Sequence, residues 1–152
     1  MSIKRITNPE EFHQVIDNLY SLFKEEDIDS GHVGLNHCPE SMKLNLGHTV
    51  ILAWEVFVWA NKTDDKFDAM IIFINDKNIK FGKKIFSEFL WLSKNSKVGY
   101  KLFQTAIKFA RNNQFDTVSM SAVVKHPKYE KIKSFYNKMG FLKDSETYIC
   151  KL

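Results

Sequence analysis

Cysteine, proline and glycine are scarce: the 152-residue chain holds two Cys, three Pro and six Gly. Two isolated cysteines, Cys38 and Cys150, exclude a disulfide framework or a zinc ribbon. So little Gly and Pro argues against a turn-dense β-sandwich and against a low-complexity linker. Long apolar runs are missing too. The longest, Thr49 to Ala60, is broken by Glu55 and falls short of the ~20 residues that span a bilayer, so no membrane partner is expected. The opening MSIKRITNPEEF has no apolar core of a secretory signal, and a cytoplasmic location is expected. His32, His37 and His48 lack the spacing of metal ligands, so no metal is expected.

What the chain has in quantity is aromatic residues: 13 Phe, 5 Tyr and 3 Trp, within 44% hydrophobic and 26% charged residues. That composition and length suit one domain, 1–152, with a large aromatic core. The net charge of +4 hides an asymmetry. Residues 94–152 carry 12 Lys and Arg against 4 Asp and Glu, whereas residues 1–93 carry 10 against 14. A basic half beside an acidic half suits a polyanionic ligand, either a nucleic acid or a phosphorylated cofactor, and equally a solvated lysine surface.

Asn8-Pro9-Glu10-Glu11 reads as a helix start, with Asn8 as N-cap, Pro9 at N1 and Glu11 at N3 of a capping box. Phe12, Val15, Ile16, Leu19, Tyr20 and Phe23 continue it at helical spacing. Cys38-Pro39-Glu40-Ser41 opens a short second helix ending near Gly47. Thr49–Ala60 reads as a buried strand, Asn61–Lys66 as a turn, and Phe67–Ile74 as the returning strand of a hairpin. Asn75–Asn78 reads as a further turn and Lys84–Ser93 as a third strand. Gly99, Leu102, Phe103, Ala106, Ile107 and Ala110 form a helical stripe through Asn112. A strand at Phe115–Val124 follows, then a helix from Tyr129 closed by Gly140, then a strand around Tyr148-Ile149-Cys150. The order ααβββαβαβ predicts a mixed α/β fold, antiparallel in its first half and parallel where helices join strands.

This order, with Ser134-Phe135-Tyr136-Asn137-Lys138-Met139-Gly140-Phe141 similar to an "FY-x-K-x-GF" segment, resembles the GNAT superfamily of acetyl-CoA-dependent N-acetyltransferases, in particular its small phage and bacterial members. The resemblance is firmest over residues 84–152; residues 1–83 fit by element order. The family's phosphate loop, Arg/Gln-x-x-Gly-x-Gly/Ala, aligns on Leu102 with Lys94-Asn95-Ser96-Lys97-Val98-Gly99. The last Gly is kept, and lysines replace the Arg/Gln and the first Gly. Aligned instead on Glu88-Phe89-Leu90-Trp91, the loop is several residues short.

The resemblance implies a GNAT-like central mixed sheet and acetyl-CoA as co-substrate, held by Leu92, Ser93, Lys94, Asn95, Ser96, Lys97, Val98, Gly99, Tyr100 and Lys101. A strand that turns into a helix offers free N–H groups and the positive end of a dipole to a diphosphate. A backbone N–H near Leu92 or Ser93 is placed for the thioester oxygen. Tyr136 resembles the family's general acid toward the coenzyme A sulfur; its alternative is packing with Phe135 and Met139. Glu88, an acid in an apolar strand, is the candidate base, with a solvent-facing glutamate as the alternative. Glu55 competes, sharing by alternation a strand face with Ile51, Ala53, Phe57 and Trp59.

The expected activity is direct transfer of an acetyl group to a primary amine, on a small molecule or a protein, by a chain compatible with a homodimer. Two other functions stay open: a GNAT-fold acyl-CoA-binding or regulatory module without turnover, and a nucleic-acid-binding protein. The last is disfavoured, because the lysines lack an aromatic-interleaved platform.

Overall fold

The structure, a computed structural model, describes residues 1–23, 40, 43–44, 55–78, 82–124, 126–148 and 150. The chain divides into two compact units, Met1–Ser121 and Ala122–Leu152. The first contains β1 (Ser2–Ile6), α1 (Pro9–Phe23), β2 (Val56–Thr63), β3 (Lys66–Asn78), β4 (Lys83–Ser93), α2 (Ser96–Asn112) and β5 (Thr117–Ser119); the second contains α3 (Tyr129–Lys138). The strands form one mixed sheet in the order β1-β2-β3-β4-β5. Neighbours are antiparallel except β4 and β5, which the α2 crossover makes parallel.

Asn8 caps α1: its side-chain oxygen accepts the N–H groups of Glu10 at 2.8 Å and Glu11 at 3.3 Å. Glu11 does not complete the expected capping box, because its carboxylate pairs with Lys4 of β1 at 2.6 Å. The helix lays Phe12, Val15, Ile16, Leu19 and Phe23 on one face of the sheet, against Val58, Met70 and Ile72, with Leu90 and Leu92 beside them. The other face is aromatic and is covered by α2. There Phe73 and Phe86 stack at 4.1 Å between ring centres. Phe57, Phe109 and Phe115 surround Phe86, and the Arg5 guanidinium lies 4.7 Å from the centre of Phe109.

Several boundaries differ from the sequence reading, each for a tertiary reason. β1, which the reading missed, is an edge strand whose inward positions are Ile3, Arg5 and Ile6. Asn75–Asn78 is not a turn: it extends β3 and pairs with Lys83–Phe86 of β4. The hairpin β2–β3 turns more tightly than expected, through Asp64 and Asp65 with φ of 49° and 62°. That left-handed pair matches the twist of the flanking strands.

Glu55 is exposed in the turn before β2 and shares no strand face with Phe57 or Trp59. The strand expected over Phe115–Val124 is only Thr117–Ser119, since the Ser121 N–H goes to a side chain. Of the expected second helix, Glu40, Lys43 and Leu44 are described and helical. The readings of His32, His37, His48, Cys38 and Thr49–Trp54 lie outside the described residues.

In the second unit, α3 ends as expected at Gly140, with φ of 85°. The Gly140 N–H donates to the Asn137 carbonyl and the Phe141 N–H to that of Tyr136, at 3.1 and 2.9 Å. This is a Schellman closure, with Tyr136 and Phe141 as its apolar contact at 5.6 Å between rings. Residues 141–148 and 150 form no strand; Lys143 pairs with Glu146, and the Tyr148 hydroxyl donates to Glu146, so local contacts replace a ladder.

Candidate active site

The site is built on an irregularity of β4. Ile72 faces Leu90 while Phe73 faces Glu88, so Phe89 is an extra residue in the ladder. Such a bulge resets the alternation of the strand. Phe86 therefore packs with Phe109 of α2, and Trp91, five positions on, stacks at 5.7 Å on Phe103 of the same helix. Glu88 sits at this break. It is also where β4 loses its parallel neighbour: pairing with β5 stops at Ser87 and Ser119.

Across the split, the Ser121 N–H donates to the Glu88 carboxylate at 3.2 Å. Burial pushes the Glu88 pKa up from 4.5 to about 7, although the Ser121 N–H pulls it back. A carboxylate that titrates near neutrality can take a proton from an ammonium and release it again. Ser121 has no sequence signature as a site residue, because its contribution is a backbone N–H.

Beyond Glu88, β4 runs through Leu92 and Ser93 into the turn that precedes α2. Asn95 is the N-cap, and its side-chain oxygen accepts the N–H groups of Lys97 at 3.0 Å and Val98 at 3.3 Å. The Ser93 hydroxyl donates to the Asn95 carbonyl at 2.7 Å and stiffens the turn. Val98 and Gly99 are buried, whereas Lys94, Ser96, Lys97, Tyr100 and Lys101 are exposed. Gly99 packs closely here: a Cβ would lie 3.2 Å from the Ser93 Cβ, a tight contact, and 3.6 Å from the Trp91 indole nitrogen. Two of the helix's first amides are thus used internally, while Lys94, Ser96, Lys97 and Lys101 are exposed around them.

Replacing Asn95 by Ala should lower stability by about 0.5–2 kcal/mol through loss of this cap, read from urea denaturation midpoints.

A cavity of about 230 Å³ opens where α1 ends, β3 begins and β4 enters the turn. Leu22, Asp68, Ala69, Ser93, Lys94, Asn95 and Val98 line it, and the surface they present to it is almost wholly apolar. Glu88, Ser121 and the turn all belong to the first unit. Tyr136 belongs to the second, where its ring lies against Phe135 and Phe141. Among the described residues no group of three or more His, Cys, Asp or Glu is placed to hold a metal, and no helix is long and apolar enough to cross a membrane.

The fold is shared with solved GNAT-type acetyltransferases. The chain is similar over its full length to the ribosomal-protein-alanine N-acetyltransferase of Brucella melitensis biovar Abortus, at 10% identity, full coverage of that chain and a TM-score of 0.69. A predicted acetyltransferase of Clostridium acetobutylicum, solved with acetyl-CoA, matches 99% of this chain and 95% of its own at 7% identity and a TM-score of 0.71. An aminoglycoside acetyltransferase from an uncultured soil metagenomic sample, in complex with sisomicin, matches the same shares at 14% identity and a TM-score of 0.66. By sequence, no family model and no curated protein matches the chain.

Proposed function

We propose that the protein is an N-acetyltransferase that moves an acetyl group from acetyl-CoA to a primary amine by direct attack. The observation that carries this reading is the placement of Glu88, a carboxylate titrating near 7 at the point where β4 and β5 part. The similarity to a structure solved with acetyl-CoA supports acetyl-CoA as the donor, and the similarity to an aminoglycoside acetyltransferase supports an amine as the acceptor.

An alkylammonium, with a pKa of about 10.4, is not nucleophilic at neutral pH. Glu88 takes its proton, and the freed amine attacks the thioester carbonyl carbon. The carbonyl oxygen gains charge and is met by a backbone N–H of β4 near Leu92 or Ser93. The nitrogen sheds its remaining extra proton to solvent as the C–S bond breaks and the C–N bond becomes an amide; in this proposal Tyr136 gives its phenolic proton to the departing thiolate and recovers one from solvent.

Lys94, Lys97 and Lys101, with the Ser96 N–H, supply positive potential for the diphosphate of coenzyme A. A second reading, an acyl-CoA-binding or regulatory module without turnover, draws on the Asn95 cap, which competes with a phosphate for the amides of Lys97 and Val98.

Calorimetry with acetyl-CoA, followed by mass spectrometry of an amine panel, separates the two. Binding together with an acetylated amine supports the enzyme, binding alone supports the module, and no binding removes both. On the enzymatic reading, Tyr136→Phe lowers turnover while acetyl-CoA affinity stays within about twofold.

A further inference from the structure

α2 holds no Asp or Glu. Its buried face carries Val98, Leu102, Phe103, Ala106 and Ala110, and its opposite face is exposed at Lys97, Lys101, Gln104, Lys108 and Arg111. Those five residues recur at alternating intervals of four and three, so they form one straight ridge along the helix. None of its four cations forms an ion pair among the described residues. The arrangement is unfavourable for an isolated helix. Like charges face each other at Lys97 and Lys101 and again at Lys108 and Arg111, and Lys97 stands at the positive end of the dipole. A polyanion laid along the ridge would relieve both.

The ridge offers a bilayer no apolar anchor and a partner helix no apolar stripe, which separates it from membrane and helix-docking surfaces. It does offer one aromatic ring. Tyr100, beside Lys101, is 39% exposed. Phe103 backs its ring at 6.4 Å and 23°, and Trp91 of β4 stacks on Phe103 in turn at 5.7 Å. Read along the chain, the lysines lack an aromatic platform; the fold supplies one by bringing β4 under α2. Cations in a row beside an exposed, supported ring are what a single nucleic-acid strand needs, since its phosphates want charge and its bases want a stacking surface. At ~1.5 Å per residue, Lys97 to Arg111 spans about 21 Å, the length of about six phosphates at ~3.4 Å each.

We propose that the outer ridge of α2 is a docking surface for single-stranded nucleic acid, with Lys97, Lys101, Lys108 and Arg111 along its phosphates and Tyr100 against one of its bases. The surface goes beyond the acetyltransferase reading. Lys97 and Lys101 belong to both, whereas Lys108 starts about 10 Å past Lys101 and, with Arg111, belongs to the ridge alone.

The test is fluorescence anisotropy of a labelled oligouridylate titrated with the full chain over a series of salt concentrations. At ~0.7 counterions per cation on a single strand, four cations give a log–log slope of about −3. Lys108→Ala combined with Arg111→Ala should halve that slope and weaken binding about tenfold at physiological salt. Acetyl-CoA affinity, read by calorimetry, should stay within twofold. Lys108→Arg combined with Arg111→Lys keeps the charge and should keep the slope. Tyr100→Leu should lower affinity about fivefold or more at an unchanged slope. Lys66→Ala, at the exposed β2–β3 turn, should change nothing.

Wild type without oligouridylate binding, a slope unmoved in the double Ala variant, a charge-keeping variant as weak as the Ala one, or an equal loss from Lys66→Ala would each overturn the surface. Equal affinity for polyglutamate or for phosphatidylserine vesicles would overturn the assignment to nucleic acid. An equal loss of acetyl-CoA affinity in the double Ala variant would give the ridge to the donor instead. Oligouridylate bound through Lys108 and Arg111 by a chain that binds no acetyl-CoA would keep the surface and remove the enzymatic reading.

Discussion

Replacing Glu88 by Gln should lower kcat/KM for amine acetylation by about 10²–10⁴-fold, the usual contribution of a positioned general base. The variant keeps the shape of the side chain and a carbonyl oxygen for the Ser121 N–H, so acetyl-CoA binding should persist. In wild type, kcat/KM should rise with pH through about 7, where Glu88 becomes a free carboxylate. The variant should show no inflection there. An unchanged pH–rate profile would remove Glu88 from the role of base.

The same substitution reports on stability with the opposite sign. The folded-state pKa, about 7, lies above the ordinary 4.5 because burial disfavours the charged form. Glu88 therefore favours the fold most below pH 4.5, and that contribution is lost as the pH rises through 7. Glu88→Gln carries no such loss. It should match wild type in acid and be the more stable of the two above pH 7, as read from denaturation midpoints across pH. In the proposed role of base, Glu88 would trade stability for activity at neutral pH.

The largest effect on stability should come from Phe86. The side chain is fully buried, stacks on Phe73, and touches Phe57, Trp59, Phe109 and Phe115, which join three strands to α2 and the segment after it. Phe86→Ala removes a ring and leaves a hole that five rings cannot close together, so a cost of about 3–5 kcal/mol is expected. A domain of this size has a total stability of only ~5–15 kcal/mol, so the variant should show a much lower urea midpoint or fail to fold. Tyr148→Ala, at an exposed position, should stay within about 0.5 kcal/mol of wild type.

The periodic segments were legible in the sequence. α1 and α2 declare themselves by spacing, and the start of α1 by Asn8-Pro9. β4 with Glu88 was legible as an apolar strand holding one acid. What was not legible depends on partners far along the chain. Asn75–Asn78 looks like a turn until the Lys83–Phe86 segment is laid beside it and satisfies its backbone. Ser2–Ile6 has too few apolar residues to announce a strand, and pairing with β2 makes it one. The bulges at Phe89 of β4 and Asp68 of β3 leave no local trace, because a bulge is a mismatch between two strands rather than a property of either. The sequence thus offered Glu88 as a candidate, while the Ser121 N–H that meets its carboxylate left no signature.

The order of strands across the sheet is the order of strands along the chain. During synthesis, each strand that leaves the ribosome meets the edge laid down just before it, and no earlier strand has to be displaced to admit a later one. Closure distances between successive partners stay short except where α1 and α2 intervene, which keeps the entropic barrier to assembly low. Nascent chains truncated after Ser93 would already contain the four antiparallel strands among the described residues, with α2, the parallel strand β5 and the second unit still to be added.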